Sequence, residues 1–190
     1  MTMETAVFDA CVLYSAPLRD FLLRLGYAKL VHPLWSEEIH AEWICSLLKT
    51  RSGLQQERLE RTRREIMDTK FPNSLVTGYD AIIPTLWLPD ANDRHVLAVA
   101  IHANASFTIT SNLKDFPESA LTPYGIQAIL PDDFVCRLIN YDADALLDAV
   151  AGHRFALCRP AKTVEEYLEA LERQRLFKTV TFLREHREGI

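Results

Sequence analysis

Short β-prone runs alternate with helical segments between residues 5 and 138. No other feature narrows the fold as much, because strands joined through helices pair in parallel, as βαβ units with helices over both faces of a mostly parallel sheet. Thr5–Phe8 is an apolar run that ends on Asp9 and reads as the first strand. Leu18–Leu25 reads as a helix stopped by Gly26, and Lys29–His32 as the second strand. Ser36 is placed to cap a helix reaching Leu48, with Glu37 and Glu38 in its first turn, where the helix dipole favours acids. Gln55–Asp68 is a charged helix broken by Phe71 and Pro72. Ala81–Leu88 reads as a short strand and loop in spite of Pro84. Asp90, Ala91 and Asn92 cap a helix reaching Asn104. The runs Ser106–Thr110 and Gly125–Leu130 are strands, and Pro131 with Asp132 opens a helix to Leu138.

The texture changes near residue 140. Asp142–Val150, Thr163–Arg173 and Leu176–Glu185 read as helices with no strand between them. Thr163 and Glu166 form a capping box, and Val164, Tyr167, Leu168 and Leu171 make one apolar stripe. The division expected is an α/β domain over 1–140 and a helical extension over 141–190, packed on the core through that stripe. A groove for a partner is the alternative use of the stripe.

A chain of 190 residues can bury a core without disulfides or metals. It has no apolar run of about 18 residues, so no membrane-spanning helix is expected. The start, MTMETAVFDA, lacks a basic region and a signal cleavage site, which points to the cytoplasm. The formal net charge of −5 excludes a generally basic nucleic-acid coat. Cys11, Cys45, Cys136 and Cys158 make no CxxC pair, so they are expected to be buried, reduced thiols.

Four acids carry the chemistry. Asp9 follows the first strand, where open parallel sheets bind their ligands, though a helix N-cap would also suit it. Asp93 begins the buried face of its helix, as Val96, Leu97 and Ala100 show by their spacing. Because Asp90 and Asn92 compete to cap that helix, Asp93 is freer for another task. Asp115 lies in the loop after the SFTIT strand, with Thr110 and Asn112 placed to orient it. Glu42 borders the buried stripe of the Ser36-capped helix, and Glu38, one turn before it, is a credible substitute; Asp90 is a further acid at the mouth. Carboxylates gathered at one sheet edge repel each other unless cations neutralise them, and oxygen-only ligands select Mg²⁺ or Mn²⁺. That arrangement suits attack on a phosphodiester.

Two other folds place an acid after the first strand. A phosphatase of the haloacid-dehalogenase type needs a second Asp where this chain has Cys11, and a receiver domain needs an acid pair and a late Lys that are not in place. His95, two residues past Asp93, either reaches the substrate or packs. Ser15 and Ser36 have no His/Asp partners that the sequence identifies.

FDACVL with Asp9, an acid in the helix after the second strand (Glu42), NDRHVLAVA with Asp93 and TSNLKDF with Asp115 together resemble the four-acid pattern of the PIN domain family, over about residues 5–135. Among its members the chain is most similar to the bacterial VapC-like toxin ribonucleases, in a longer form with a helical tail. The resemblance implies a three-layer α/β/α fold and a Mg²⁺- or Mn²⁺-dependent endoribonuclease that hydrolyses RNA phosphodiester bonds. It implies a toxin restrained by a cognate antitoxin, and a homodimer. Carried over by residue, Asp9, Glu42, Asp93 and Asp115 become catalytic metal ligands, and Thr110 and Asn112 orient them. The reading from another class is a non-catalytic PIN-like module that acts through a protein partner.

The segment from 49 to 70 reverses the overall charge, with seven positives against four negatives. Arg51, Arg58, Arg61 and Arg64 are the candidates for phosphate contacts. A solvated helix with Glu57–Arg61 and Glu60–Arg64 ion pairs is the plainer reading.

Overall fold

The computed structural model describes residues 3–158 and 160–190, the Arg64 side chain excepted. Strand β1 (Thr5–Phe8) lies inside a four-stranded sheet of order β2-β1-β3-β4, with β2 at His32–Leu34, β3 at Phe107–Ile109 and β4 at Gln127–Ile129. Every pairing is parallel: Val7 stands opposite Leu34 on one side and Thr108 on the other, and Ile109 opposite Ile129. The chain starts in the middle of the sheet, goes to one edge and then crosses to the other side. The carboxyl ends of β1 and β3 therefore flank a topological switch point, where such sheets open a crevice.

Helices α1 (Ala10–Tyr14), α2 (Ala16–Tyr27), α3 (Glu37–Thr50), α4 (Gln56–Thr62), α5 (Arg94–His102), α6 (Glu118–Leu121) and α7 (Pro131–Tyr141) complete a three-layer α/β/α arrangement. Ser36 caps α3 by accepting from the Ile39 amide at 3.2 Å. Helix α5 packs on β1 and β3, which sets its first turn beside the end of β1.

Five local expectations are corrected. The second strand begins at His32, because Lys29 takes φ +60° and its amide bonds back to Gly26, so residues 28–30 close helix α2 instead. Gly26 does not stop α2, which runs on to Tyr27; it is a point of close approach, where a Cβ would come within 2.9 Å of the Phe71 ring and 3.2 Å of Pro33. Ala81–Leu88 forms no strand, but a 3₁₀ turn at Ile83–Thr85 containing Pro84, which has no amide to give to a ladder. The cysteines are not core residues: Cys11, Cys45 and Cys158 are exposed overall and Cys136 is half-buried, all four free, although the Cys11 thiol itself is turned inward to Asp9 and Thr110. For Cys11, Cys45 and Cys136 the apolar neighbours in sequence lie on other faces of the same helices. The charged helix also divides, with α4 continuing into a π-helical stretch at Arg63–Asp68.

Helices α8 (Ala143–Ala156), α9 (Val164–Glu172) and α10 (Phe177–Glu185) form the C-terminal layer. The Thr163–Glu166 capping box forms at the start of α9. Tyr167, Leu168 and Leu171 are buried and Val164 half-buried, so the stripe is spent on the core rather than left as a groove. Helix α8 packs on α2 and α7, and α10 on α7 and α9.

Candidate active site

Asp9 leaves β1 at the switch point as a buried residue, 6% exposed. Its backbone amide donates to the Ile109 carbonyl at 3.1 Å, so the β1–β3 ladder fixes its position. The side chain makes no cap bond to α1. Its Oδ2 instead accepts from the Thr110 hydroxyl at 2.7 Å and the Cys11 thiol at 3.0 Å. Thr110 is fully buried and also accepts from the Asn112 amide at 3.0 Å, so one hydroxyl ties the ends of both central strands to the loop that follows. Burial and the charge of Asp9 push the Cys11 thiol up to about 12, which keeps it a protonated donor.

Asp93 stands at the N-cap of α5 and makes no side-chain cap bond; Asp90 caps the 3₁₀ turn Ala91–Asp93 that leads into α5, through the Asn92 amide at 2.9 Å. Burial raises its carboxyl to about 6, and the charges of Asp9, Asp90, Asp115 and Glu42 add to the shift. The acids singled out in the sequence are thus close enough to repel one another across one space. Asp115 sits in the 3₁₀ turn Leu113–Asp115 and accepts from the Asn112 side-chain amide. Glu42 accepts at 3.0 Å from Nε2 of His95, whose side chain is nearly all buried.

A cleft of about 730 Å³ opens here, with Asp9, Glu42, Asp93 and Asn112 on its walls and Cys11, Cys45, Tyr14, Ser46 and Lys49 around them. Asp115 does not itself line the cleft and is tied to Asn112, which does. Glu38 is off the wall too, exposed and bonded to the Tyr79 hydroxyl at 3.2 Å. Asp90 stays at the mouth as a cap. Among the described residues no group of three His, Cys, Asp or Glu side chains is arranged to hold a metal ion as it stands. The acids are turned instead to protein partners: Asp9 to Thr110, Asp115 to Asn112, Glu42 to His95. The donor chemistry still fits a hard divalent cation, since carboxylate oxygens gathered around one space gain most from one.

Of the basic candidates, Arg51 stacks 5.9 Å from the Tyr14 ring at the edge of the cleft. Arg58 and Arg61 lie on α4, away from the cleft walls, and Arg61 borders a separate surface depression with Gln56, Glu57, Glu60 and Glu65. The Arg64 side chain lies outside the described residues. The Glu57–Arg61 pair does not form among the described residues; Arg63 is the hub and reaches Glu37, Glu60 and Asp68. Lys49 went unsingled in the sequence as a cleft residue, although it stands seven positions after Glu42 on the same helix face. The bond from His95 to Glu42 had no sequence signal, because 53 positions separate the two.

Comparison with known proteins agrees with the fold. A family described as PIN domain matches residues 5–114, and one described as VapC50 C-terminal domain matches residues 131–185. A curated relative from Mycobacterium tuberculosis (strain ATCC 25618 / H37Rv), named "Putative ribonuclease VapC50", is 37% identical over 110 residues, or 56% of this chain and 64% of the relative. The chain therefore spans a little under two thirds of that relative's length. No solved structure matches. The first family match covers more than half of the chain and takes in β1 to β3 with Asp9, Glu42 and Asp93, so this chain belongs to the PIN domain family.

Proposed function

We propose that this chain is a Mg²⁺- or Mn²⁺-dependent endoribonuclease that hydrolyses RNA phosphodiester bonds as the toxin of a toxin–antitoxin pair. The observation that carries the reading is Asp93, a half-buried carboxylate raised to about 6 in a cleft of like charges, with no cap to make. A site that gathers four acids around one space, with Lys49 on its rim, is suited to a divalent ion and the phosphate it brings. The relative's name, a ribonuclease, supports the same chemistry.

In this reading Asp9, Glu42, Asp93 and Asp115 hold the ion. When bound, it supplies Lewis acidity toward the scissile phosphate and makes water nucleophilic near neutral pH. Thr110 keeps Asp9 in one rotamer and Asn112 does the same for Asp115. Lys49 and Arg51 stand where the phosphates flanking the cut would pass, and Tyr14 offers an aromatic face beside them. A cognate antitoxin, a homodimer and a cytoplasmic location belong to the same proposal, as does the division into a 1–140 nuclease domain and a 141–190 extension. No helix among the described residues is long and apolar enough to cross a membrane.

That no three-acid group is preformed among the described residues favours a second reading, a non-catalytic module acting through a protein partner. Total bacterial RNA incubated with purified protein and Mn²⁺ or Mg²⁺, beside an EDTA control and the Asp9→Asn variant, separates the two. Discrete metal-dependent cuts lost in the variant are the expected result. Cation binding without any cleavage would favour the module.

A further inference from the structure

His95 lies between two acids of one helix. It is 7% exposed, on α5, and faces Glu38 and Glu42, which are one turn apart on α3. Its two nitrogens are engaged unequally. Nε2 donates to Glu42 Oε1 at 3.0 Å, while Nδ1 is buried, makes no hydrogen bond and stays 3.6 Å from Glu38 Oε2. Glu38 has turned to another donor, the Tyr79 hydroxyl. Only the acid that His95 bonds lines the cleft. A glutamate has three side-chain torsions, and a free one on a helix surface samples many rotamers. A fixed donor on one oxygen removes most of that freedom and leaves the second oxygen for a ligand.

We propose that His95 is a positioning residue that selects Glu42 over Glu38 as the α3 acid of the site, by holding one Glu42 oxygen through Nε2–H. The inference rests on the cation-binding reading above. It is also specific to one nitrogen, which a merely structural histidine would not be. Glutamine at this position places its amide near Nε2, and asparagine places it near Nδ1.

The test is calorimetric titration with Mn²⁺ alone, with thermal melting of each variant as a check of the fold. His95→Gln is expected to bind Mn²⁺ within a few-fold of wild type. His95→Asn is expected to bind about 10- to 100-fold more weakly, the usual cost of losing a hydrogen bond behind a metal ligand. In a Glu42→Gln background, His95→Asn should add no further loss, because it acts through Glu42. Equal affinities for the Gln and Asn variants would overturn the proposal, as would a loss by His95→Asn that persists in full in the Glu42→Gln background. Wild-type affinity in His95→Asn, with binding abolished in Asp93→Asn, would overturn the positioning role and leave the cation site standing. A wild-type protein that binds no Mn²⁺ would overturn both.

Discussion

Two aspartates at helix starts behave in opposite ways. Asp132, in the first turn of α7, gives its carboxylate to α10: it accepts from the Lys178 amide at 2.8 Å, the Thr179 amide at 2.9 Å and the Thr179 hydroxyl at 2.7 Å. Asp93, at the start of α5, makes no cap bond and faces four other acids. The first is an acid used up in holding the C-terminal layer to the core. The second is held in place by its backbone with its charge unspent. A carboxylate with full hydrogen bonding stabilises the fold, and one left among like charges costs stability and is free to bind a ligand.

Exchanging charge at the two positions should have opposite effects. Asp93→Asn is expected to lower kcat/KM for RNA by about 10²-fold or more. It should also raise metal-free stability by about 1 kcal/mol, after allowance for solvent screening of a half-exposed group. That corresponds to about 3 °C in Tm, measured by melting in EDTA. Asp132→Ala is expected to destabilise by about 2 kcal/mol, seen in urea unfolding, with kcat and Mn²⁺ affinity unchanged. A Tm loss in Asp93→Asn, or an activity loss in well-folded Asp132→Ala, breaks the contrast.

The pH dependence of stability sharpens it. Asp93 titrates near 6 in the fold against 3.8 as a free carboxyl, so the folded state keeps its proton longer. Its contribution is whole below 3.8 and is lost as pH rises through 6. In the C-terminal layer, burial and then the charge of Arg24 push His153 down to about 4 from 6.5, so the unfolded chain is protonated first. That contribution is whole above 6.5 and is lost as pH falls toward 4. In EDTA, Asp93→Asn should therefore make the stability curve rise more steeply between pH 4 and 6, and His153→Gln should flatten it. Each residue changes the slope by at most about 1.4 kcal/mol per pH unit. The smallest effect is expected from Lys49→Ala: a few-fold weaker RNA binding, unchanged Mn²⁺ affinity, and a salt slope shallower by about 0.7, as for one phosphate contact on a single strand.

The parts of this molecule legible in its sequence are those governed by neighbours along the chain. The β1–Asp9 junction, the Ser36 cap, the Asp90 cap that frees Asp93, and the Thr163–Glu166 box depend on residues at most a few positions apart. The errors come from backbone geometry and from pairs distant in sequence. Nothing in a lysine announces a positive φ, so the turn at Lys29 displaced the second strand. Gly26 looked like a helix stop and is a packing contact with Phe71, 45 positions later. The site acids could be named singly, but not their settings: Thr110 reaches Asp9 across 101 positions, and His95 reaches Glu42 across 53. The sequence favours Glu42 over Glu38 only by its place beside the buried stripe, whereas in the fold Glu42 lines the cleft and Glu38 does not.

The central claim is that the acids of the cleft perform metal-dependent RNA hydrolysis while Asp132 only holds the fold. The most direct test follows the cleavage of single-stranded RNA by wild type, Asp93→Asn and Asp132→Ala, in Mn²⁺ and in EDTA, below the melting temperature of all three. Wild type and Asp132→Ala are expected to cleave in Mn²⁺, and a more stable Asp93→Asn to cleave at least about 10²-fold more slowly. Cleavage by Asp93→Asn at the wild-type rate, or cleavage that continues undiminished in EDTA, would contradict it.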